Sequence, residues 1–153
     1  MNSNILAPAL QIRNSDCNGD LEAVTQLMRE LHYPTTINVM RERIQACESN
    51  PKLCTMVAEL DGQVIGMIAL NQVKSFARSE SVTQVSALIV SKEHRGQGIG
   101  KRLIRSAEEW SKQQGCQTLF LISGNRIERA PAHAFYEHIG FEKIGYQFVR
   151  KLK

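Results

Sequence analysis

LIVSKEHRGQGIGKR, residues 88–102, is the stretch that decides the fold of this chain. It starts with apolar residues typical of a buried strand that ends at Val90, and it continues through Gly96, Gly98 and Gly100 into an amphipathic helical pattern. A strand, turn and helix in this order direct backbone N–H groups and a helix N-terminus at one spot, where an anionic group can bind. Glycines let a phosphate approach the main chain without meeting a Cβ atom. The sequence therefore predicts an anion-binding turn.

The spacing of these glycines differs from two common phosphate-binding motifs. The dinucleotide fingerprint needs two residues before its last glycine, whereas Gly98 and Gly100 are separated by one. A nucleotide-hydrolysing P-loop needs Ser or Thr after its lysine, and Arg102 stands there. Its first glycine is replaced by Arg95. The turn is therefore not expected to serve nucleotide hydrolysis.

Hydrophobic periodicity and turn residues predict alternating strands and helices on both sides of this turn. Asp16 or Asp20 can cap the first helix, and Thr35 or Thr36 can cap the second. The predicted strands are Ala9–Arg13, Leu53–Leu60, Gln63–Gln72, Val82–Val90, Thr118–Ile122, Phe141–Ile144 and Tyr146–Leu152. The predicted helices carry the apolar positions from Leu21 to Leu31 and from Ile37 to Cys47, and they span Gly98–Gln114 and Pro131–Ile139. The Asp61-Gly62 pair predicts a hairpin turn, and Val82–Ile122 predicts a parallel, right-handed crossover.

The composition indicates one domain over residues 1–153. The chain is 42% hydrophobic and 22% charged, which is ordinary for a soluble globular protein. It shows neither an apolar run of transmembrane length nor a signal-peptide pattern, so we expect a cytoplasmic protein without a membrane partner. The four cysteines have no zinc spacing, so we expect free thiols and no metal site.

The net charge of +4 is compatible with an anionic partner, which could be a nucleic acid, an acidic surface or a small ligand, and equally with a mildly basic cytosolic protein that has no such partner. The chain has no run of five like charges and no aromatic–basic recognition motif, so a nucleic-acid partner is not expected.

Two motifs together resemble the GCN5-related N-acetyltransferase (GNAT) family. The first is R-x-x-G-x-G, read at Arg95, Gly98 and Gly100, directly after a strand. The second is A-x-x-F-Y-x-x-x-G-F, which runs from Ala132 to Phe141. The resemblance extends over Val82–Lys153, and the N-terminal half agrees in the order of its elements. Residues around Arg129, the second motif and Gly145-Tyr146-Gln147-Phe148 are similar to members that acetylate small amines, such as aminoalkylphosphonate acetyltransferases.

The resemblance implies a mixed α/β fold with a mostly antiparallel sheet of six to seven strands flanked by helices. It also implies that acetyl-coenzyme A donates an acetyl group to a primary amine of a small molecule or peptide. Tyr136 matches the general-acid tyrosine of the family. The implied cofactor-binding residues are Leu88, Ile89, Val90, Arg95, Gly96, Gln97, Gly98, Ile99, Gly100, Lys101, Arg129 and Phe135. Arg102 can add positive charge, and an N–H near Leu88 can stabilise an oxyanion.

This chain departs from the family pattern at two places. Many members have a glutamate base on the strand before the loop, where this chain has Ser86 and Ala87. Glu80, His94, His133 or an ordered water chain could serve instead. Family members often have asparagine seven residues before the tyrosine, where this chain has Arg129, and Asn125 is out of register. Arg129 can contact coenzyme A, an anionic substrate or solvent.

The function predicted from the sequence is acetyl-coenzyme A–dependent N-acetyl transfer. The missing glutamate leaves a non-catalytic acyl-coenzyme A–binding module as the alternative. His32, Tyr33 and Phe76 are candidates for the acceptor cleft because of their positions, although Tyr33 and Phe76 could equally serve packing. An exposed edge at the C-terminal strands is compatible with a homodimer.

Overall fold

A five-stranded mixed sheet runs through the computed structural model, which describes residues 9–33, 35–74, 76–124 and 127–153. Its strands are β1 (Leu10–Asn14), β2 (Leu53–Leu60), β3 (Gln63–Val73), β4 (Val82–Val90) and β5 (Leu119–Leu121), and they lie in the sheet in chain order. The first four strands pair antiparallel, and β5 pairs parallel to β4. The mixed, mostly antiparallel α/β fold is therefore confirmed.

Four helices are described, and the first three pack on the two faces of this sheet. They are α1 (Cys17–Glu30), α2 (Ile37–Ser49), α3 (Ile99–Gln113) and α4 (Ala130–His138). Apolar residues of α1 and α2 pack with Val57, Met67 and Ile89 on one face, whereas α3 packs on the opposite face. No helix in the described part of the chain combines the length and apolar character needed to span a bilayer.

Local capping chemistry sets the starts of the first two helices. The Asp16 carboxylate accepts a hydrogen bond from Asn18 N–H at 3.1 Å, and the Thr36 hydroxyl accepts one from Val39 N–H at 3.3 Å. Asp20 lies inside α1 instead of capping it and binds Arg13. Asp16 and Thr36 are therefore the caps.

Turn chemistry and a buried hydrogen bond position the middle of the sheet. Asp61 and Gly62 have φ angles of 50° and 82°, the positive values that a tight hairpin between β2 and β3 requires. Helix α3 is linked to β4 by a hydrogen bond of 2.7 Å between the Ser111 and Thr83 hydroxyls. The four cysteines are free thiols, as predicted: Cys17, Cys47, Cys54 and Cys116.

The prediction of two C-terminal strands is wrong. Residues 141–153 contain no strand, so the described sheet has five strands instead of six to seven. An alternating pattern records which side chains could pack on a sheet, but a strand also needs a neighbouring backbone to accept its hydrogen bonds. In this single copy, the segment 142–153 is exposed along its length.

Candidate functional site

The glycine turn after β4 adopts a backbone that requires glycine. Gly96 and Gly98 have φ angles of 81° and 82°, a region that residues with a Cβ atom rarely adopt. A Cβ atom at either position would meet nothing within 4 Å, so the turn opens onto free space. The Arg95 Nε donates to the Val90 carbonyl at 3.1 Å and ties the start of the turn to the end of the strand.

Helix α3 begins without a side chain that satisfies its first amides. Gly98 occupies the N-cap position, and within the described residues no side chain caps this helix. The first intrahelical bond of the turn runs from Arg102 N–H to the Gly98 carbonyl at 3.1 Å. The N–H groups of Ile99, Gly100 and Lys101 therefore lack an acceptor within the helix. Lys101 and Arg102 are exposed in the same first turn, so dipole and side-chain charges both favour an anion here.

Strand β4 extends beyond the strand that pairs with it on one side. β5 pairs only with Thr83–Val85, and the part of the chain that the structure describes places no strand beside 86–90 on that side. Ser86 is an extra residue in the ladder, because Ala69 pairs with Ala87 while Leu70 pairs with Val85. The Ser86 hydroxyl donates to the Ala69 carbonyl at 3.2 Å. This bulge lies where β4 becomes an open edge.

The direction of the main-chain groups on this open edge follows from the ladder. Ser91 N–H donates to the Ile65 carbonyl at 2.8 Å, so Ser91 faces β3. Because these groups alternate along an antiparallel strand, Val90 and Leu88 point away from β3, whereas Ile89 points towards it. Since Arg95 occupies the Val90 carbonyl, the groups on this edge without a partner among the described residues are the Leu88 N–H and carbonyl and the Val90 N–H. Ile89, predicted together with them, is buried and does not face this edge.

Helix α4 contacts the glycine turn through one aromatic ring. A Cβ atom at Gly100 would lie 3.0 Å from Phe135 Cζ, so the ring packs directly on the first turn of α3. The next residue, Tyr136, is half-buried, and its ring lies 5.6 Å from that of Phe135 and 5.9 Å from that of Phe141, both edge to face. Gly100 and the two aromatic residues are therefore linked by direct contacts.

The environment of Tyr136 favours the protonated hydroxyl. Burial raises the pKa of this phenol above its usual value, and the positive charge of Arg129 opposes part of that rise. Arg129 ends a short 3₁₀ turn, Ile127–Arg129, directly before α4. Arg129 is thus close enough to Tyr136 to interact with it electrostatically.

The candidate bases occupy three different environments. The His133 Nε2 lies 2.8 Å from the Gly124 carbonyl and 3.1 Å from the Ser123 hydroxyl. Since a carbonyl only accepts, Nε2 is the donor and Nδ1 remains available as an acceptor. His94 follows β4 and has a buried Nδ1 without a hydrogen-bond partner among the described residues. Glu80 is exposed on the loop before β4.

The remaining predicted residues lie at the surface or outside the described part. Tyr33 is 59% exposed and Phe76 is fully exposed, whereas His32 ends the first helical region with a φ angle of 65°. Gln97 is exposed in the glycine turn. Asn125 lies outside the described residues.

Three features of the site are not predicted by the sequence. The bulge at Ser86, the bond from Arg95 to Val90 and the contact between Phe135 and Gly100 depend on how distant segments pair. The glycine at position 100 is a signal of close approach, but the sequence does not say which residue approaches.

The family model described as "Acetyltransferase (GNAT) family" matches residues 21–141. Among curated relatives, N-acetyltransferase family 8 member 2 of Rattus norvegicus is 39% identical over 93 residues, which cover 61% of this chain and 40% of that protein. The chain thus spans about 40% of the length of this relative. The aminoalkylphosphonate N-acetyltransferase of Salmonella typhimurium is 29% identical over 146 residues, which cover 95% of this chain and 93% of that protein.

Solved structures show the same fold. Aminoglycoside N-acetyltransferase AAC(6')-Iy, solved in complex with CoA, superposes with a TM-score of 0.86 at 20% identity and covers 96% of this chain and 97% of its own. Glucosamine-6-phosphate N-acetyltransferase from Arabidopsis thaliana has a TM-score of 0.78 at 18% identity, with coverages of 95% and 99%. At sequence identities of 18% and 20%, these similarities show a shared fold and nothing beyond it.

Proposed function

Because this chain belongs to the GNAT family of acetyltransferases, we propose that it transfers the acetyl group of acetyl-coenzyme A to a primary amine by direct attack of the amine on the thioester. The observation that carries the proposal is the open glycine turn at the N-terminus of α3, where the first amides have no acceptor within the helix and the first turn is basic. A diphosphate is a ligand that such a turn can hold. In this proposal the amides from Gly96 to Lys101 bind it, and the Arg95 side chain adds positive charge.

The open edge of β4 binds the amide-containing arm of the cofactor. The Leu88 N–H and carbonyl and the Val90 N–H offer donors and an acceptor spaced as for a neighbouring strand. As the amine attacks, negative charge grows on the thioester oxygen, and the Leu88 N–H stabilises it by a hydrogen bond. Acetyl-coenzyme A supplies the activated acetyl group for this chemistry.

Tyr136 donates a proton or hydrogen bond to the departing thiolate. Because burial raises the pKa of its hydroxyl, the group is protonated at neutral pH and able to donate. Phe135 holds α4 against Gly100 and so keeps Tyr136 near the turn. The proposal therefore assigns proton donation to Tyr136 and positioning to Phe135.

Several groups near the site can accept the proton that the attacking amine loses. Strand β4 carries no carboxylate, and the Ser86 hydroxyl is engaged with Ala69. His133 donates through Nε2 to the Gly124 carbonyl, so its Nδ1 is the ring nitrogen that can accept a proton. We propose that the proton leaves through His133, His94, Glu80 or water.

The acceptor is proposed to be a small or peptidyl amine. The relative that matches along nearly the whole chain is named for aminoalkylphosphonates, whose phosphonate is an anion. Arg129, next to Tyr136, could bind an anionic group of the acceptor. An aminoalkylphosphonate therefore belongs in the first acceptor panel, beside an aminoglycoside, a polyamine and a peptide with a free N-terminus.

A thiol-release assay tests the proposal. Purified protein, acetyl-coenzyme A and each acceptor should release coenzyme A, and mass spectrometry should find an acceptor heavier by one acetyl group. Tyr136→Phe should lower kcat about 100-fold, whereas the Kd for coenzyme A should change by less than about twofold because the diphosphate contacts lie elsewhere. An unchanged kcat would remove Tyr136 from proton transfer.

A non-catalytic acyl-coenzyme A–binding module is the second candidate. The lack of a carboxylate on β4 favours it. This candidate predicts that coenzyme A binds while none of the panel is acetylated. Acetylation of any amine at a rate abolished by Tyr136→Phe would exclude it.

A further inference from the structure

Two polar side chains in the middle of the sheet hold no part of the fold together. Asn71 on β3 and Gln84 on β4 lie directly opposite each other in the ladder, so their side chains share one face of the sheet. Both residues are half-buried, and neither side-chain amide forms a hydrogen bond with a described residue. The donors and acceptors of this amide pair are therefore available to a ligand.

The polar residues next to the amide pair are used differently. Gln72, one residue further along β3, donates from Nε2 to the Gln114 carbonyl at 3.3 Å. Thr83, one residue earlier on β4, is hydrogen-bonded to the Ser111 hydroxyl at 2.7 Å. Because neighbouring residues of a strand face opposite sides, these two bonds lie on the α3 face of the sheet and link the strands to that helix. The amide pair on the other face has no such structural task.

The row of the sheet that contains the amide pair is uncharged. Strand pairing aligns one residue of each of the strands β2 to β5 in this row: Leu53, Asn71, Gln84 and Phe120. Phe120 is half-buried and belongs to neither apolar cluster of the core. The next pair along the same face is Ala69 and Ala87, whose methyl groups are too small to cover the amides. The row therefore presents two amides beside an aromatic ring.

The amide pair lies near the open edge of β4, on the face of the sheet opposite α3. Ala69 and Ala87 belong to the apolar cluster of α1 and α2, whereas α3 packs on the opposite face. Ser86, which separates Gln84 from the open edge, is exposed at the bulge. Gln84 and Leu88 are four residues apart, which is at most about 13 Å along a strand. A small molecule on the amide pair can therefore reach a group bound at the open edge.

We propose that Gln84 and Asn71 select the acceptor, and that this acceptor is an amine with an uncharged amide next to it, as in an amino acid amide or the N-terminus of a peptide. The inference rests on the proposed acetyl transfer, with the cofactor on the α3 side and the amine on the opposite face. Each side-chain amide carries a carbonyl acceptor and an NH₂ donor, which complement the N–H and C=O of a substrate amide. A carboxylate or phosphonate would lose hydration in this row without gaining a positive partner.

Three acceptors of similar shape test this selection: glycinamide, glycine and isobutylamine. They carry an amide, a carboxylate and an apolar group at the same distance from the amine. The wild-type protein should acetylate glycinamide with a kcat/KM at least about tenfold above that for glycine, because the row pairs with an amide and not with an anion. Comparing each variant with wild type on the same acceptor cancels the different basicities of the three amines.

Substitutions at Gln84 should change the selectivity and not only the rate. Gln84→Leu should lower kcat/KM for glycinamide about tenfold, through KM, and should not lower it for isobutylamine, which forms no hydrogen bond there. Gln84→Lys should favour glycine over glycinamide, because the ammonium group pairs with the carboxylate. Gln45→Leu, at an exposed position of α2, is the control and should leave all ratios unchanged. Equal losses on the three acceptors, or no change in their ratios, would overturn the proposal.

Binding can be followed without turnover. With coenzyme A present, glycinamide should shift the side-chain NH₂ resonances of Asn71 and Gln84 and leave those of Gln45 in place. Absence of these shifts would overturn the proposal even if the protein acetylates other amines. Shifts at both residues without acetyl transfer to any acceptor would support the amide site and reject the proposed function, so the two failures are distinguishable.

Discussion

Gly98 and Gly115 flank the two ends of α3 with the same backbone conformation. Both have a φ angle of 82°, and a Cβ atom at either would meet nothing within 4 Å. An alanine at either position therefore carries the same backbone strain, of about 1 kcal/mol. The two positions differ in that Gly98 belongs to the open turn, whereas Gly115 follows the far end of the helix.

Comparison of the two alanine variants separates the effect of backbone strain on stability from the effect on coenzyme A binding. Gly98→Ala and Gly115→Ala should lower the free energy of unfolding by similar amounts, about 1 kcal/mol each. Only Gly98→Ala should lower the affinity for coenzyme A, by about tenfold, because the added Cβ atom and the displaced amides alter the proposed anion site. Denaturant unfolding and calorimetric titration measure the two effects. Equal coenzyme A affinities in the two variants would contradict the assignment of the phosphates to this turn.

At the scale of elements, the contact between α3 and α4 joins the proposed anion site to Tyr136. The separation of 3.0 Å between a Cβ atom at Gly100 and Phe135 Cζ is tighter than most contacts of real Cβ atoms, so an added methyl group requires the ring to shift by a few tenths of an ångström. Because the Phe135 ring lies edge to face against the Tyr136 ring at 5.6 Å, a displaced Phe135 ring presses on the phenol. We therefore expect changes at Gly100 to reach Tyr136 through Phe135.

A double-mutant cycle tests this coupling. Gly100→Ala should lower kcat about tenfold, because misplacing a catalytic group by a fraction of an ångström is costly. Phe135→Leu removes the ring that the methyl group would meet, so the double variant should lose less than the sum of the two single variants. Steady-state kinetics on the four proteins measure the interaction. Additive losses would mean that Gly100 and Phe135 act separately.

The sequence predicts features that neighbouring residues determine, and it does not predict features that depend on contacts between distant segments. Leu53–Leu60 and Val82–Val90 were predicted with the bounds that the structure shows, because apolar patterning and neighbouring turn residues determine them locally. The turn glycines were likewise recognisable from spacing. The Ser86 bulge and the contact of Phe135 with Gly100 were not recognisable, because they arise from pairing between distant segments. The segment 142–153 has a strand pattern but finds no partner backbone in one copy, which is why the predicted strands failed.

For the whole molecule, one ion-pair cluster links the first strand, the first helix and the second strand. The Arg13 guanidinium contacts both oxygens of the Asp20 carboxylate, at 2.8 and 2.9 Å, and Glu59 at 3.0 Å. Asp16 N–H donates to the same Asp20 carboxylate at 2.7 Å. The hydrogen bonds from Arg13 hold the pKa of Asp20 below its ordinary value despite its burial. The contribution of Asp20 to this cluster is therefore complete only while its carboxylate is ionised.

We expect Asp20→Asn to lower the free energy of unfolding by about 2 kcal/mol at neutral pH, because charged hydrogen bonds to a buried group are lost. Since the folded pKa is depressed, the stabilising contribution is complete above the unfolded pKa of about 4 and disappears as the pH falls through the folded value. The difference between wild type and variant should therefore shrink below about pH 4. Glu22→Gln, an exposed position on the same helix, is the control and should change stability by less than about 0.5 kcal/mol. Urea unfolding at several pH values measures the difference, and a pH-independent difference would contradict the linkage.

The short length of β5 has a consequence for the design of blocking compounds. Because β5 stops at Leu121 and pairs with only the first part of β4, the rest of β4 offers backbone hydrogen-bond donors and acceptors at regular spacing. Consider a small molecule with two amides at the spacing of an extended peptide and an anionic group at one end. The amides would bind the open edge of β4 while the anionic group would bind the N-terminus of α3. Such a scaffold would gain its affinity from main-chain groups, which point substitutions of side chains can scarcely remove.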